Sequence, residues 1–223
     1  MKRTRTKPVN VSAAAVSNMI DKLSRGVPPY KYLREFAKNG YDAHDRGDSS
    51  ESDNATITIA RDKMFPNKMV IANSTPADPI TEEVAEDSLN ALFNPKSGPE
   101  TNHGIGAKIA YLPQNQLGLH FRCRTAGIKF TIHKDEFNIF GLKTELDDDG
   151  EPAQIFECYD DEFTFPDSET EVVLLGKTED DDTWLSTLKI VNPREDSSHK
   201  RFAGWNIRNY FNSRFRTNSK INS

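Results

Sequence analysis

Glu35, Asn39 and Asp42 are the residues of this chain whose types and spacing are best suited to chemistry. They lie in the stretch Tyr30–His44, which reads as one helix entered from Pro28-Pro29, because a first turn makes no use of the amide proton that proline lacks. At about 100° per residue the three fall in a narrow stripe, while Leu33, Phe36, Ala37 and Gly40 lie on roughly the opposite side. An acid, an amide and an acid in line can hold a metal–phosphate group. The amide oxygen of Asn39 is a hard ligand suited to Mg²⁺. Glu35, one turn earlier, is placed to take a proton from an attacking water. An amphipathic helix with a solvated polar face would show the same stripe.

A second group lies downstream. Gly104-Ile105-Gly106 leads straight into Ala107–Leu112, which has helical character. Amides exposed at a helix start, with the partial positive charge there, bind phosphate, and glycine lets the phosphate approach. Lys108 would add a point charge. A tight turn packing a helix on a sheet would use the same glycines.

The scaffold that must hold these groups mixes helices and strands. Ser12 offers a cap to the helical spacing of Ala13–Ser24. Ala55–Ala60 and Lys68–Ala72 alternate as strands around a turn at Phe65–Lys68, and Ile80–Leu92 reads as a helix. Leu119–Arg124 and Ile128–His133 flank Thr125-Ala126-Gly127 as a hairpin. Phe137–Leu142, Ile155–Tyr159 and Thr170–Leu175 complete an antiparallel set. Asp147–Glu151 reads as a solvated turn, since it lacks the spaced acids of a calcium loop. Trp184–Ile190 and Trp205–Phe211 read as short helices.

Arg34-Glu35-x-x-x-Asn39-x-x-Asp42-Ala43 resembles the N-box of the GHKL superfamily, which includes gyrase B subunits, the ninety-kilodalton heat-shock chaperones, histidine kinases, MutL proteins and MORC ATPases. Asn102-His103-Gly104-Ile105-Gly106-Ala107-Lys108 is similar to the second glycine box of that superfamily. Glu169-Thr170 and the apolar run after it resemble the late strand that carries the adenine-site threonine. The matches come in the family's order and span roughly residues 28 to 176. The resemblance implies a two-layer α/β sandwich of the Bergerat kind, with a mixed, mostly antiparallel sheet and helices on one face. It implies ATP and Mg²⁺ as ligands, with Glu35 as general base, Asn39 as metal ligand and Asp42 beside them. Gly104, Ile105, Gly106, Ala107 and Lys108 would form the phosphate cradle, and Thr170 would meet the base. The segment 93–102, with Gly98 and its prolines, stands where relatives keep an ATP lid, from which Lys96 could reach the phosphates.

The chain departs from the family at the first glycine box. Asn73 stands in place of the aspartate that accepts from the adenine amino group, and Ser74–Asp78 replaces the glycine-containing loop. Asn73 still offers an amide oxygen, but its other half is a donor and it carries no charge. A variant ATP site, an altered base preference and a site losing its nucleotide all fit this change. Asp78 could substitute from a shifted register. The implied function is Mg²⁺-dependent ATP binding with slow hydrolysis that drives lid closure and dimerisation. The alternative is a degenerate GHKL fold acting as a non-catalytic interaction module.

Composition sets outer bounds. A chain of 223 residues with 35% hydrophobic and 28% charged residues can build one substantial core with appendages. The reading divides it into a tail and strap helix (1–27) suited to homodimer contact, the ATP-binding domain (28–178) and a helical, aromatic and basic extension (179–223). The extension is expected to pack its last helix onto the domain or to lead into a further domain. No apolar run approaches the roughly 18 residues of a membrane span, and the basic N-terminus lacks the apolar stretch of a secretory signal. Cys123 and Cys158 lack metal-ligand spacing and read as buried thiols in a reducing compartment, so a cytoplasmic location is expected. A net charge of −5 argues against broad nucleic-acid coating, though a local basic patch is compatible with it.

Overall fold

The computed structural model describes residues 12–27, 31–46, 56–74, 79–90 and 105–186. Ser12 opens the first helix, α1 (Ala13–Ser24), where its hydroxyl accepts a hydrogen bond from the Ala15 amide at 3.3 Å, as a serine cap should. The helix is built into the core. Ile20 is fully buried, and the Ser17 hydroxyl accepts from the Phe140 amide far along the chain. The second helix, α2 (Lys31–Arg46), covers the expected stretch, with Leu33, Phe36 and Ala37 buried on its apolar side. Glu35 is also buried, only 8% exposed, so the polar stripe is not simply a solvated face.

Strands β1 (Ile57–Arg61) and β2 (Met69–Ser74) form a hairpin. Its turn is fixed by Asp62, whose carboxylate accepts from the Met64 and Phe65 amides at 3.0 and 2.8 Å. Helices α3 (Glu82–Asn90) and α4 (Ile105–Tyr111) follow, and α4 runs on into a 3₁₀ turn at Leu112–Gln114. The strands after it are β3 (Gly118–Cys123), β4 (Ile128–Lys134), β5 (Phe140–Leu142), β6 (Glu145–Leu146), β7 (Pro152–Ala153), β8 (Ile155–Glu157) and β9 (Ser168–Gly176). The last strand leaves the sheet at Gly176, where φ is +85° and a Cβ would lie 2.7 Å from that of Asp181. Only glycine fits such a turn comfortably.

The fold is α+β: helices packed against a seven-stranded sheet of order β1-β2-β9-β3-β4-β5, with β8 also paired to β4. Every described pairing is antiparallel, so the parallel component of the expected mixed sheet is not found among the described residues. The short β6–β7 hairpin stands apart, and the expected turn at Asp147–Glu151 joins its strands. Register assigns the two faces of the main sheet, because paired residues share a face. Ile71, Val172, Phe121 and Phe130 fall on one side and join Ile20, Leu33 and Tyr111 in the core. Helix α2 lies against β1 and β2, while α1 and α3 lie against β5.

The centre of the opposite face is also closed to water. Arg122, on β3, is 1% exposed and reaches Asp62 at 2.7 Å and Glu171 of β9 at 3.1 Å. Thr164 and Phe165 donate backbone amides to Glu171, and the nearby Phe163 is itself buried. His120, on the same face, shares a 2.9 Å hydrogen bond with Thr131. Burial first, and the Arg122 charge second, lower its pKa to about 4, so it stays neutral through physiological pH.

Both cysteines are free thiols, Cys123 buried and Cys158 half-buried. Burial raises both, Cys158 to about 11, which suits unreactive thiols. Among the described residues no helix is long and apolar enough to cross a membrane. Beyond β9 the chain is helical at 183–186, overlapping the start of the expected helix over 184–190, whose remainder lies outside the described residues. The expected helix at 205–211 lies outside the described residues.

Candidate functional site

A cavity of about 580 Å³ opens between the helices and the sheet. Its sheet wall carries Asn73 and Thr170, which face each other in the β2–β9 register. Ile71, Val172, Leu119 and Phe121 extend that wall with apolar surface. The helical wall carries Phe36, Asn39 and Gly40 from α2, and Lys108 and Tyr111 from α4. Thr81 and Val84, in and just before α3, close one margin.

Gly40 sets how closely α2 can approach the sheet. A Cβ at that position would lie 2.4 Å from the Ile57 Cδ1 and 3.2 Å from the Asn73 Cβ. The missing side chain therefore brings α2 against β1 and β2 and leaves room beside Asn73. The helices are tied to each other by rings, with Phe36 and Tyr111 stacked at 3.9 Å between centroids and 5° between planes.

The expected site residues fall into three groups. Asn39, Asn73, Lys108 and Thr170, drawn from α2, β2, α4 and β9, line the one cavity. Glu35 is not among the lining residues; it is 8% exposed and close enough for its charge to act on the Tyr111 phenol. For Asp42, Ile105, Gly106 and Ala107 the helix positions are described but the side chains are not, and Asp78, Lys96 and Gly104 lie outside the described residues. Helix α4 begins at Ile105 and not at Ala107, so Gly106 belongs to its first turn instead of preceding it.

Two wall atoms are buried without a hydrogen-bond partner among the described residues: the Asn73 Nδ2 and the Tyr111 hydroxyl. Burial, and then the charge of Glu35, push the Tyr111 pKa well above its ordinary value; Asn39 opposes this from close by without reaching good hydrogen-bond geometry. Tyr111 and Gly40 are the functional candidates the motifs did not single out. Tyr111 was within reach of sequence reasoning, since it follows Lys108 by three positions and so shares its helix face.

Chemically, the cavity offers amides at Asn39 and Asn73, a hydroxyl at Thr170, a cation at Lys108 and a broad apolar lining. No cluster of three or more His, Cys, Asp or Glu able to hold a metal is found among the described residues. An Mg²⁺ ion here would be held through the Asn39 amide oxygen, a hard oxygen donor of the kind this ion prefers. In comparisons with known proteins, no protein family matches the chain and no curated protein is similar to it.

Proposed function

We propose that this chain is a nucleotide-binding domain of the GHKL kind that takes Mg·ATP into the cavity between α2, α4 and the sheet and hydrolyses it slowly. One observation carries the reading. Asn39, Asn73, Lys108 and Thr170 are up to 131 positions apart (170 − 39), together they suit the metal, phosphates and base of a nucleotide, and all line one cavity. A volume of about 580 Å³ is in the range of small-molecule sites. The helices against an antiparallel sheet, with β9 between β2 and β3, are compatible with a Bergerat sandwich.

Asn73 and Thr170 would hold the base. The unpartnered Nδ2 of Asn73 is a donor that a ring nitrogen or carbonyl of a purine would satisfy. The apolar wall at Ile71, Val172 and Phe121 would take the flat faces of the ring. Lys108 would neutralise phosphate charge, and Asn39 would hold the metal. A metal held there would supply charge neutralisation at the phosphoryl group. Glu35 would accept the proton of the attacking water at the edge of the cavity beside Tyr111, where its charge already acts on the phenol. Dimerisation would follow nucleotide binding; the 93–102 segment expected to act as a lid lies outside the described residues.

The metal role is tested by titrating wild type and Asn39→Ala with ATP, with and without Mg²⁺. The variant is expected to lose about tenfold or more in affinity for Mg·ATP, and much less for metal-free ATP. Equal losses in both conditions would leave Asn39 a purely structural residue.

A further inference from the structure

Tyr111 lines the cavity, and none of the roles above uses its hydroxyl. The ring is fixed by its stack on Phe36 and the residue is only 3% exposed. Its hydroxyl has no hydrogen-bond partner among the described residues. Phenylalanine would fill the same space without that polar atom, and a buried unsatisfied hydroxyl works against folding. Burial and the neighbouring Glu35 charge keep the phenol protonated, so it is a permanent donor. Asn73 Nδ2, on the sheet wall of the same cavity, is a second donor in the same condition. Orphaned donors from the helix layer and from the sheet call for a ligand that brings acceptors to both.

We propose that Tyr111 is a ligand-binding residue, whose hydroxyl donates a hydrogen bond to an oxygen of the phosphate–metal group of the bound nucleotide, at the end of the cavity marked by Asn39. This assignment rests on the nucleotide reading of the cavity. It places the polar end of the ligand at Tyr111 and Asn39, because Glu35 and Asn39 are the polar groups that act on this phenol. The purine end then falls to Asn73 and Thr170. The hydroxyl is a burden in the empty protein and is satisfied only in the complex.

Tyr111→Phe removes that one oxygen and keeps the stack on Phe36. Two measurements test the proposal: thermal unfolding without ligand, and titration with Mg²⁺ plus a non-hydrolysable ATP analogue, with adenosine as the comparison. The variant is expected to unfold at the wild-type temperature or above it. It should bind the Mg²⁺-loaded analogue about 10- to 100-fold more weakly, as for loss of a hydrogen bond to a charged group, and bind adenosine as wild type does. Equal affinity for the analogue in variant and wild type overturns the Tyr111 assignment alone. An equal loss for adenosine and the analogue puts the hydroxyl at the base and overturns the assignment as stated. Failure of wild type to bind either ligand overturns the nucleotide reading along with it.

Discussion

Glu35→Gln is expected to lower ATP turnover by about 10²- to 10⁴-fold while leaving nucleotide affinity within about tenfold. A general base acts on the proton of water, so its loss is felt in the chemical step and not in binding. Two features of Glu35 make the separation clean. Its side chain is 8% exposed and does not line the cavity, so the substitution leaves the ligand's contacts in place. Glutamine keeps its volume in a well-packed helix face, avoiding the cavity that alanine would open. The measurement is single-turnover hydrolysis alongside an equilibrium dissociation constant. Unchanged turnover would remove Glu35 from the role of base, and a matching loss of affinity would show that it shapes the cavity instead.

The second large effect lies on the other face of the sheet. Arg122→Met should destabilise the fold by about 3–5 kcal/mol, because it leaves buried carboxylates without their counter-charge. Asp62 and Glu171 approach the guanidinium at 2.7 and 3.1 Å, and all three side chains are at most 1% exposed. Their remaining donors do not replace the cation. Asp62 accepts from two amides and the Thr164 hydroxyl, and Glu171 from two amides and the Ser168 hydroxyl. These groups satisfy lone pairs but bring no positive charge. Denaturant unfolding of wild type and variant measures the difference. A loss below about 1 kcal/mol would mean that the cluster contributes no more than a surface pair.

These two residues also mark the border of what the sequence could tell. Alternation in Leu119–Arg124 and Ile128–His133 placed the strands of the hairpin, and the 3.6-residue spacing placed α1 and α2. Alternation says which side a residue takes, not whether that side is wet. Arg122 reads as the solvated face of a strand, yet it is buried where the loop around Thr164 and Phe165 donates to its partner Glu171. That contact joins residues 49 positions apart and leaves no local signal. The same limit hid the burial of Glu35, which reads as one member of a polar stripe. Strands β6 and β7 are two residues each, too short for any periodicity to reveal. By contrast, Asn73 and Thr170 were expected side by side, and they pair directly across β2 and β9.

The claim that the cavity holds the nucleotide is tested most directly at Gly40, with an equilibrium titration of wild type and Gly40→Val against Mg·ATP. A Cβ there meets Ile57 at 2.4 Å and Asn73 at 3.2 Å, so a valine side chain crowds the cavity wall beside Asn73 while removing no polar contact. Overpacking of this kind costs about 1–3 kcal/mol when the site must give way. Wild type is expected to bind with saturable, one-to-one stoichiometry, and a cooperatively folded Gly40→Val to bind at least about tenfold more weakly. Undiminished binding by Gly40→Val, or no binding by wild type, would contradict the placement of a nucleotide between α2 and the sheet.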